Sequence, residues 1–335
     1  MAYQTGTAAT PIALLTTLVT WLVTRGWTTA ASAADGTGHR AHLSKSGVFL
    51  NFRAAVLEAV WSQNQSGSDL GHGLALYMGT AYSASDDWHG QVGGPAVAGA
   101  NYGVGAMLTA GPFPAYHFHD DGSDNVMVIV EHTGGIFSWI GFGLAMSKDT
   151  HAETMAYFFG STSGFATTTP RTSPAQVIGT RTASGKYPGA TFDESASVGA
   201  TLFVRVPSAI QPASNGWVSN GAGVTLSFGT VTPQVSGALS GQASYTIGPV
   251  DNAHPHWRTL TIQGRAVANV YPRAMILPAW QFVLHPTTSR WTYLGYPPSV
   301  YGCDAVGNGW ASGETLTIGG LDYRLYPSLA VRHIA

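Results

Sequence analysis

Residues 115–146 read AYHFHDDGSDNVMVIVEHTGGIFSWIGFGLAM, and this stretch decides the architecture. Tyr116-His117-Phe118-His119 has the character of a strand, and Asp120-Asp121-Gly122-Ser123-Asp124 supplies turn residues. Residues 126–131 form a second strand pattern, Thr133-Gly134-Gly135 a second turn, and residues 136–146 a third strand. Three successive strands joined by short glycine-bearing loops predict an antiparallel β-meander. Residues 126–130 are apolar without a break, which predicts a middle strand covered on both faces.

The same signals recur outward from the meander. Residues 48–53 alternate imperfectly, and residues 73–82 read as an aromatic and aliphatic strand that ends in a turn over 83–87. Residues 28–38 read as a loop. Between 166 and 199 the chain is rich in Thr, Ser, Pro and Gly and lacks aliphatic periodicity, which predicts a boundary near Thr168. An assembly domain over 1–167 and a second β-rich domain over 168–335 follow from it. In the second half, short strand patterns occupy 201–206, 224–228, 245–247, 257–262, 266–270, 275–277, 281–284 and 291–294. A terminal hairpin pairs 314–318 with 322–326 across Gly319-Gly320. The expected fold class is mainly β, with antiparallel meander or sandwich domains and one short N-terminal α-helix.

That helix is bounded at both ends. Thr10 suits the cap, Pro11 the first helical position, and Gly26 the stop after Arg25. Leu14, Leu18, Trp21 and Leu22 fall on one side of the cylinder, while Ala13, Thr16, Thr17, Thr20 and Thr24 form a weakly polar strip. The apolar stripe can pack on its own domain or be shared with a neighbouring subunit. The first is the plainer reading; the absence of a charged face argues for the second, on which Leu14, Leu18, Trp21 and Leu22 are the expected assembly interface. No positive charge precedes the apolar run, so the segment does not read as a secretory leader, and the run is too short to span a bilayer.

Charged residues make up only 10% of the 335, and the formal net charge is -2. A free-standing domain usually carries about a quarter charged residues, so this surface is expected to be buried against other subunits. The 42 glycines favour tight turns and close backbone approach over long helices. The single Cys303 excludes an internal disulfide framework and a cysteine-built zinc site. The 15 Lys and Arg form no basic block, so neither nucleic acid nor an anionic membrane is an expected partner.

Residues with chemical potential are few. His117 and His119 share one face of a presumed strand, and Asp120 and Asp121 follow at once. Two imidazoles and a carboxylate can serve a divalent metal, yet the same residues make an ordinary strand end and turn, and no ligand beyond this stretch is evident. The second reading is the expectation, with no metal and no cofactor. His254-Pro255-His256 reads as loop punctuation. Gly160-Ser161-Thr162-Ser163-Gly164 has Thr162 where a nucleophile elbow needs serine, Gly103-Val104-Gly105 lacks the third glycine of a dinucleotide fingerprint, and no Walker or His-Glu-x-x-His sequence occurs. Nothing in the sequence pairs Glu58, Glu131, Glu153, Glu194 or Glu314 with Asp69, Asp86, Asp87 or Asp193 as glycosidase chemistry requires. Trp88, Trp217, Trp257, Trp280, Trp291 and Trp310 lie in or beside Gly/Ser/Asn loops, where rings can fill cores, anchor interfaces or stack on sugars. Catalysis is not expected.

Several stretches together carry a family resemblance. They are Met1-Ala2-Tyr3-Gln4-Thr5-Gly6-Thr7-Ala8, the helix end Arg25-Gly26-Trp27, and the run from His42-Leu43-Ser44-Lys45 through Asn51-Phe52-Arg53. Further on they include Phe113-Pro114-Ala115-Tyr116-His117-Phe118, Asn125-Val126-Met127-Val128-Ile129-Val130-Glu131, Ile136-Phe137-Ser138-Trp139-Ile140-Gly141-Phe142-Gly143 and Phe158-Phe159-Gly160-Ser161. These stretches resemble virion structural proteins of tailed bacteriophages, a likeness that covers about the first half, with a weaker echo over 313–326. It implies a tail-tip or baseplate component, located in the virion after assembly in the host cytoplasm. Its partners would be copies of itself, other tail proteins and a host-surface receptor or glycan. A receptor- or glycan-binding module, or a carbohydrate-active protein, is the alternative.

Overall fold

The computed structural model describes residues 2–56, 61–62, 69–70, 73–95, 105–107, 111–132, 136–148, 151–160, 186–187, 190–191, 202–206, 216–219, 226–229, 234–235, 242–246, 259–263, 277–278, 280–284, 291–302, 313–326 and 329–333. Among them the protein is mainly β, with antiparallel sheets and a single α-helix. The first half runs β1 (Ala2–Ala8), α1 (Pro11–Thr24), β2 (Thr28–Asp35), β3 (Gly38–Lys45), β4 (Val48–Ala55), β5 (Gly73–Gly79) and β6 (Gly105–Met107). It continues with β7 (Phe113–Asp120), β8 (Asn125–His132), β9 (Ile136–Gly143) and β10 (Tyr157–Gly160). The second half contributes β11 (Leu202–Arg205), β12 (Trp217–Ser219), β13 (Leu277–Pro278), β14 (Val300–Gly302), β15 (Thr315–Ile318), β16 (Leu321–Leu325) and β17 (Leu329–His333).

The meander is present as β7, β8 and β9, with Val128 facing Phe118 on one side and Ile140 on the other. It forms the middle of a seven-stranded antiparallel sheet in the order β1-β7-β8-β9-β10-β11-β12. A second sheet has the order β2-β3-β4-β5-β6, and a third, C-terminal sheet the order β13-β14-β17-β16-β15. The residues around Thr168 lie outside the described ones. Strands from both sides of that position share the central sheet, because β11 pairs with β10.

Strand alternation sends neighbours in β8 to opposite faces. Val126, Val128 and Val130 join Phe118, Phe142 and Phe158 in a core closed by α1 and the second sheet. Met127 and Ile129 join Tyr157, Phe159 and Val204 in a second core, capped by Leu294, Val300, Tyr326 and Val331 from the C-terminal region. This double burial explains the unbroken apolar run.

The helix ends form as expected. Thr10 Oγ1 accepts the Ala13 N–H at 3.2 Å, and Pro11 opens the first turn. At the other end the Gly26 N–H bonds Val23 O and the Trp27 N–H bonds Leu22 O, the paired closure that places Gly26 at φ +85°. Thr16, Thr17 and Thr20 turn their hydroxyls back onto the carbonyls four residues earlier. A strip of threonines is thereby accommodated within a helix.

Two expectations are corrected. Leu14, Leu18, Trp21 and Leu22 do not form an outward assembly face: they are buried within the chain's own first core, where Trp21 lies 5.4 Å from the Phe118 ring. Apolar burial between two sheets of the same chain satisfies the stripe that a neighbour was expected to cover. Residues 28–35 are a strand, not a loop. Their Ala, Ser and Thr composition has no period of two, and β2 owes its conformation to pairing along β3.

Leu18→Ala is expected to destabilise the fold by about 2–5 kcal/mol, measured by urea unfolding. Gly141→Ala is expected to cost about 1–3 kcal/mol in the same assay, because a Cβ there falls 2.2 Å from Phe159 Cζ and 2.5 Å from Met127 Sδ.

Candidate functional site

Strands β1 and β7 pair so that Tyr3 faces His119 and Thr5 faces His117. His117 and His119, two residues apart, point away from the first core and toward the C-terminal sheet. There β16 and β17 place Asp322 opposite His333 and Arg324 opposite Val331, with Tyr326 just beyond β16. The result is a junction of three imidazoles, two phenols and a guanidinium. Tyr3 Oη and His117 Nδ1 are hydrogen-bonded at 2.8 Å, with Thr5 Oγ1 at 3.3 Å from the same nitrogen. His119 Nε2 and Tyr326 Oη are hydrogen-bonded at 3.0 Å. The His333 ring meets Tyr3 edge-on at 4.7 Å and His119 at 5.8 Å, and Arg324 Cζ lies 5.3 Å above the Tyr3 ring. His333 Nδ1 is buried without a hydrogen-bond partner.

The junction disfavours positive charge on its imidazoles. Burial holds His117 down to about 4, helped by Arg324 and His333. His119 lies well below the ordinary imidazole range, again through burial first and then through His333, His117 and Arg324. His333 is lowered by burial and Arg324 against the opposing pull of Asp322. Burial also raises the Tyr326 phenol. All three imidazoles are therefore neutral near pH 7.

The turn after β7 uses its carboxylates internally. Asp120 Oδ1 accepts the Gly122 N–H at 2.8 Å, and Asp121 Oδ1 accepts the Ser123 N–H at 2.7 Å. Asp121 Oδ2 accepts from Asn125 Nδ2 at 2.8 Å, and Asn125 Oδ1 accepts from Tyr157 Oη at 3.0 Å. Burial raises Asp121 against these bonds. A cavity of about 10 Å³ lies beside this network, lined in part by His119, Asp121, Asn125, Tyr157 and Ser299. Its size matches one water molecule. Among the described residues no three His, Cys, Asp or Glu side chains are arranged to hold a metal ion.

Other sequence candidates separate from this junction. Trp88 and Trp217 are buried, and the indole of Trp217 donates to Gly93 O at 2.9 Å, so neither presents a ring for stacking on a sugar. Trp280 and Trp291 each begin a strand. His254, His256, Trp257, Trp310, Glu58, Asp193 and Glu194 lie outside the described residues, as do Gly103-Val104 and residues 161–164. Tyr3, Arg324, Tyr326 and His333 were not singled out from the sequence. No local pattern marks them, since His119 and Tyr326 are 207 residues apart.

A second surface lies at the edge of the second sheet. Among the described residues strand β2 pairs on one side only, with β3. Thr28, Thr29, Ala30, Ser32, Ala33 and Ala34 are all exposed, so both faces of the strand meet solvent. Asp35, its one charged residue, is engaged by Arg53 Nε at 2.8 Å. No protein-family model matches the chain, and no curated protein matches it significantly.

Tyr326→Phe is expected to cost about 1–3 kcal/mol in urea unfolding, because the buried His119 nitrogen loses its hydroxyl partner. Melting with EDTA or with excess zinc or calcium is expected to leave Tm unchanged. An ion present at a hundredfold excess over its Kd would add about 2.7 kcal/mol, a shift that a melt resolves.

Proposed function

We propose that the chain is a virion structural protein of a tailed phage, a tail-tip or baseplate component whose task is subunit assembly. The observation that carries this reading is the β2 edge. An eight-residue strand with small side chains, uncharged but for Asp35, with a ladder unpaired on one side among the described residues and both faces in solvent, is a template for strand addition. Folded proteins commonly blunt such edges with lysine, proline or a covering segment. Here a single register shift between Thr29 and Ala31 interrupts an otherwise unguarded edge.

Two further features support assembly. The terminal hairpin exposes Ile318 and Leu321 at 44% and 38% of their surface, on either side of Gly319-Gly320. The charge content of 10% leaves little repulsion between copies. The resemblance of the first half to virion proteins supplies the setting, with copies of this chain and other tail proteins as partners and the virion as location.

The reading is tested by immunogold labelling of purified phage particles with an antibody raised against the chain, backed by mass spectrometry of the same particles. Label at the tail end is the expected outcome, and particles free of the protein would overturn it. Ala33→Lys with Ala34→Lys puts a charge on each face of β2. It should abolish incorporation into particles while changing stability by no more than about 0.5 kcal/mol.

A further inference from the structure

We propose that the junction of His117, His119 and His333 is an acid-released clasp. In this device, proton uptake parts the C-terminal sheet from the central sheet while the first core stays folded. The inference is independent of the virion reading.

The geometry has three parts. First, the histidines sit at the seam itself: His117 and His119 belong to β7 of the central sheet, and His333 to β17 of the C-terminal sheet. His119 and His333 rings are 5.8 Å apart, so charge on both would act across the seam. Second, the hydrogen-bond partners suit neutral rings. Tyr3, Thr5 and Tyr326 offer hydroxyls, which can accept from one ring nitrogen but give an imidazolium no compensating charge. Third, the surrounding charges do not balance three added protons. Strand β16 contributes Arg324, over the Tyr3 ring, and Asp322, opposite His333 and already bound by the Thr317 hydroxyl. Strand β1 contributes only Tyr3 and Thr5 to the junction. Asp121 lies across the small cavity, held by Ser123 and Asn125, and Arg332 of β17 lines the same cavity.

Protonation thus gathers up to five positive charges, Arg324 and Arg332 among them, against two carboxylates that are already engaged. Separating the sheets returns each imidazole to water. The sign follows from the depressed values: an imidazole near 6.5 when released and near 4 for His117 when docked weakens docking as pH falls through that window. Docking is fully favoured above it. On the other face of the central sheet the core joins Leu18, Trp21, Phe52, Phe118 and Val128 by apolar contact, and the buried His42 of the second sheet bonds Asn51 and packs on Tyr82. His42 and His89 are also lowered by burial, but His42 lies on the second sheet and His89 in the 80–95 segment, away from the seam.

Hydrogen exchange read by mass spectrometry at pH 7 and about pH 4.5, corrected for the intrinsic rate, tests the clasp. Peptides spanning 315–333 should lose protection at least tenfold at the lower pH, while those of α1 and β8 hold. His117→Gln with His333→Gln should remove most of that difference. Loss of protection in both regions together, or an unchanged pH response in the double variant, would overturn the proposal. Should the variant fail to fold, histidine NMR titration of the wild-type chain decides. Ring signals that titrate well below 6.5 in step with release of 315–333 support the clasp, and signals that titrate near 6.5 without release refute it.

Discussion

The fold depends on the requirement that β8 be dry on both sides. Val126, Val128 and Val130 point one way, Met127 and Ile129 the other, and none of them tolerates water. A sheet with such a centre needs two covers, and the chain supplies them from opposite ends. The N-terminal cover is α1 with the second sheet. The C-terminal cover is the region that brings Leu294, Val300, Tyr326 and Val331.

These covers differ in chemistry. The first is sealed by leucines and aromatic rings, including Trp27 and Phe52 set edge-on to Phe142 at 6.0 and 5.9 Å. The second mixes apolar side chains with imidazoles, phenols and a guanidinium. A polar group removed from water must recover its hydrogen bonds locally. The junction does so largely with hydroxyls, which suits a chain poor in carboxylates. The scarcity of charge in the composition thus reappears as an electrostatic property of one buried seam.

Much of the architecture is legible where side-chain pattern and turn chemistry agree. The meander could be read because apolar runs alternate with Asp120-Asp121-Gly122 and Thr133-Gly134-Gly135. The helix could be read because Thr10, Pro11 and Gly26 mark its ends. Strand β1, Ala2–Ala8, and strand β2 lack such marks: their Ala, Ser, Thr and Gly residues carry no period, and only the neighbouring strand determines their conformation. The histidine junction was half legible. His117 and His119 stood out by spacing, whereas His333 and Tyr326 reach them through tertiary pairing that no local pattern encodes. The apolar stripe of α1 was visible too, but a stripe alone does not say whose surface covers it.

The order of strands in the central sheet also bears on how the chain reaches this state. Strand β1 pairs with β7, more than a hundred residues later, and Trp217 of β12 is tied to Gly93 across a separation of 124. Pairings of such span form late, since the intervening loop must close before any contact rewards it. During synthesis, the leucine and tryptophan side of α1 emerges well before its β7 neighbours exist. The nascent chain therefore passes through a stage with a bare apolar helix and an unfilled sheet, open to association with other chains. That interval ends only once residues 113–143 have been made, so the segment that centres the fold also covers the helix.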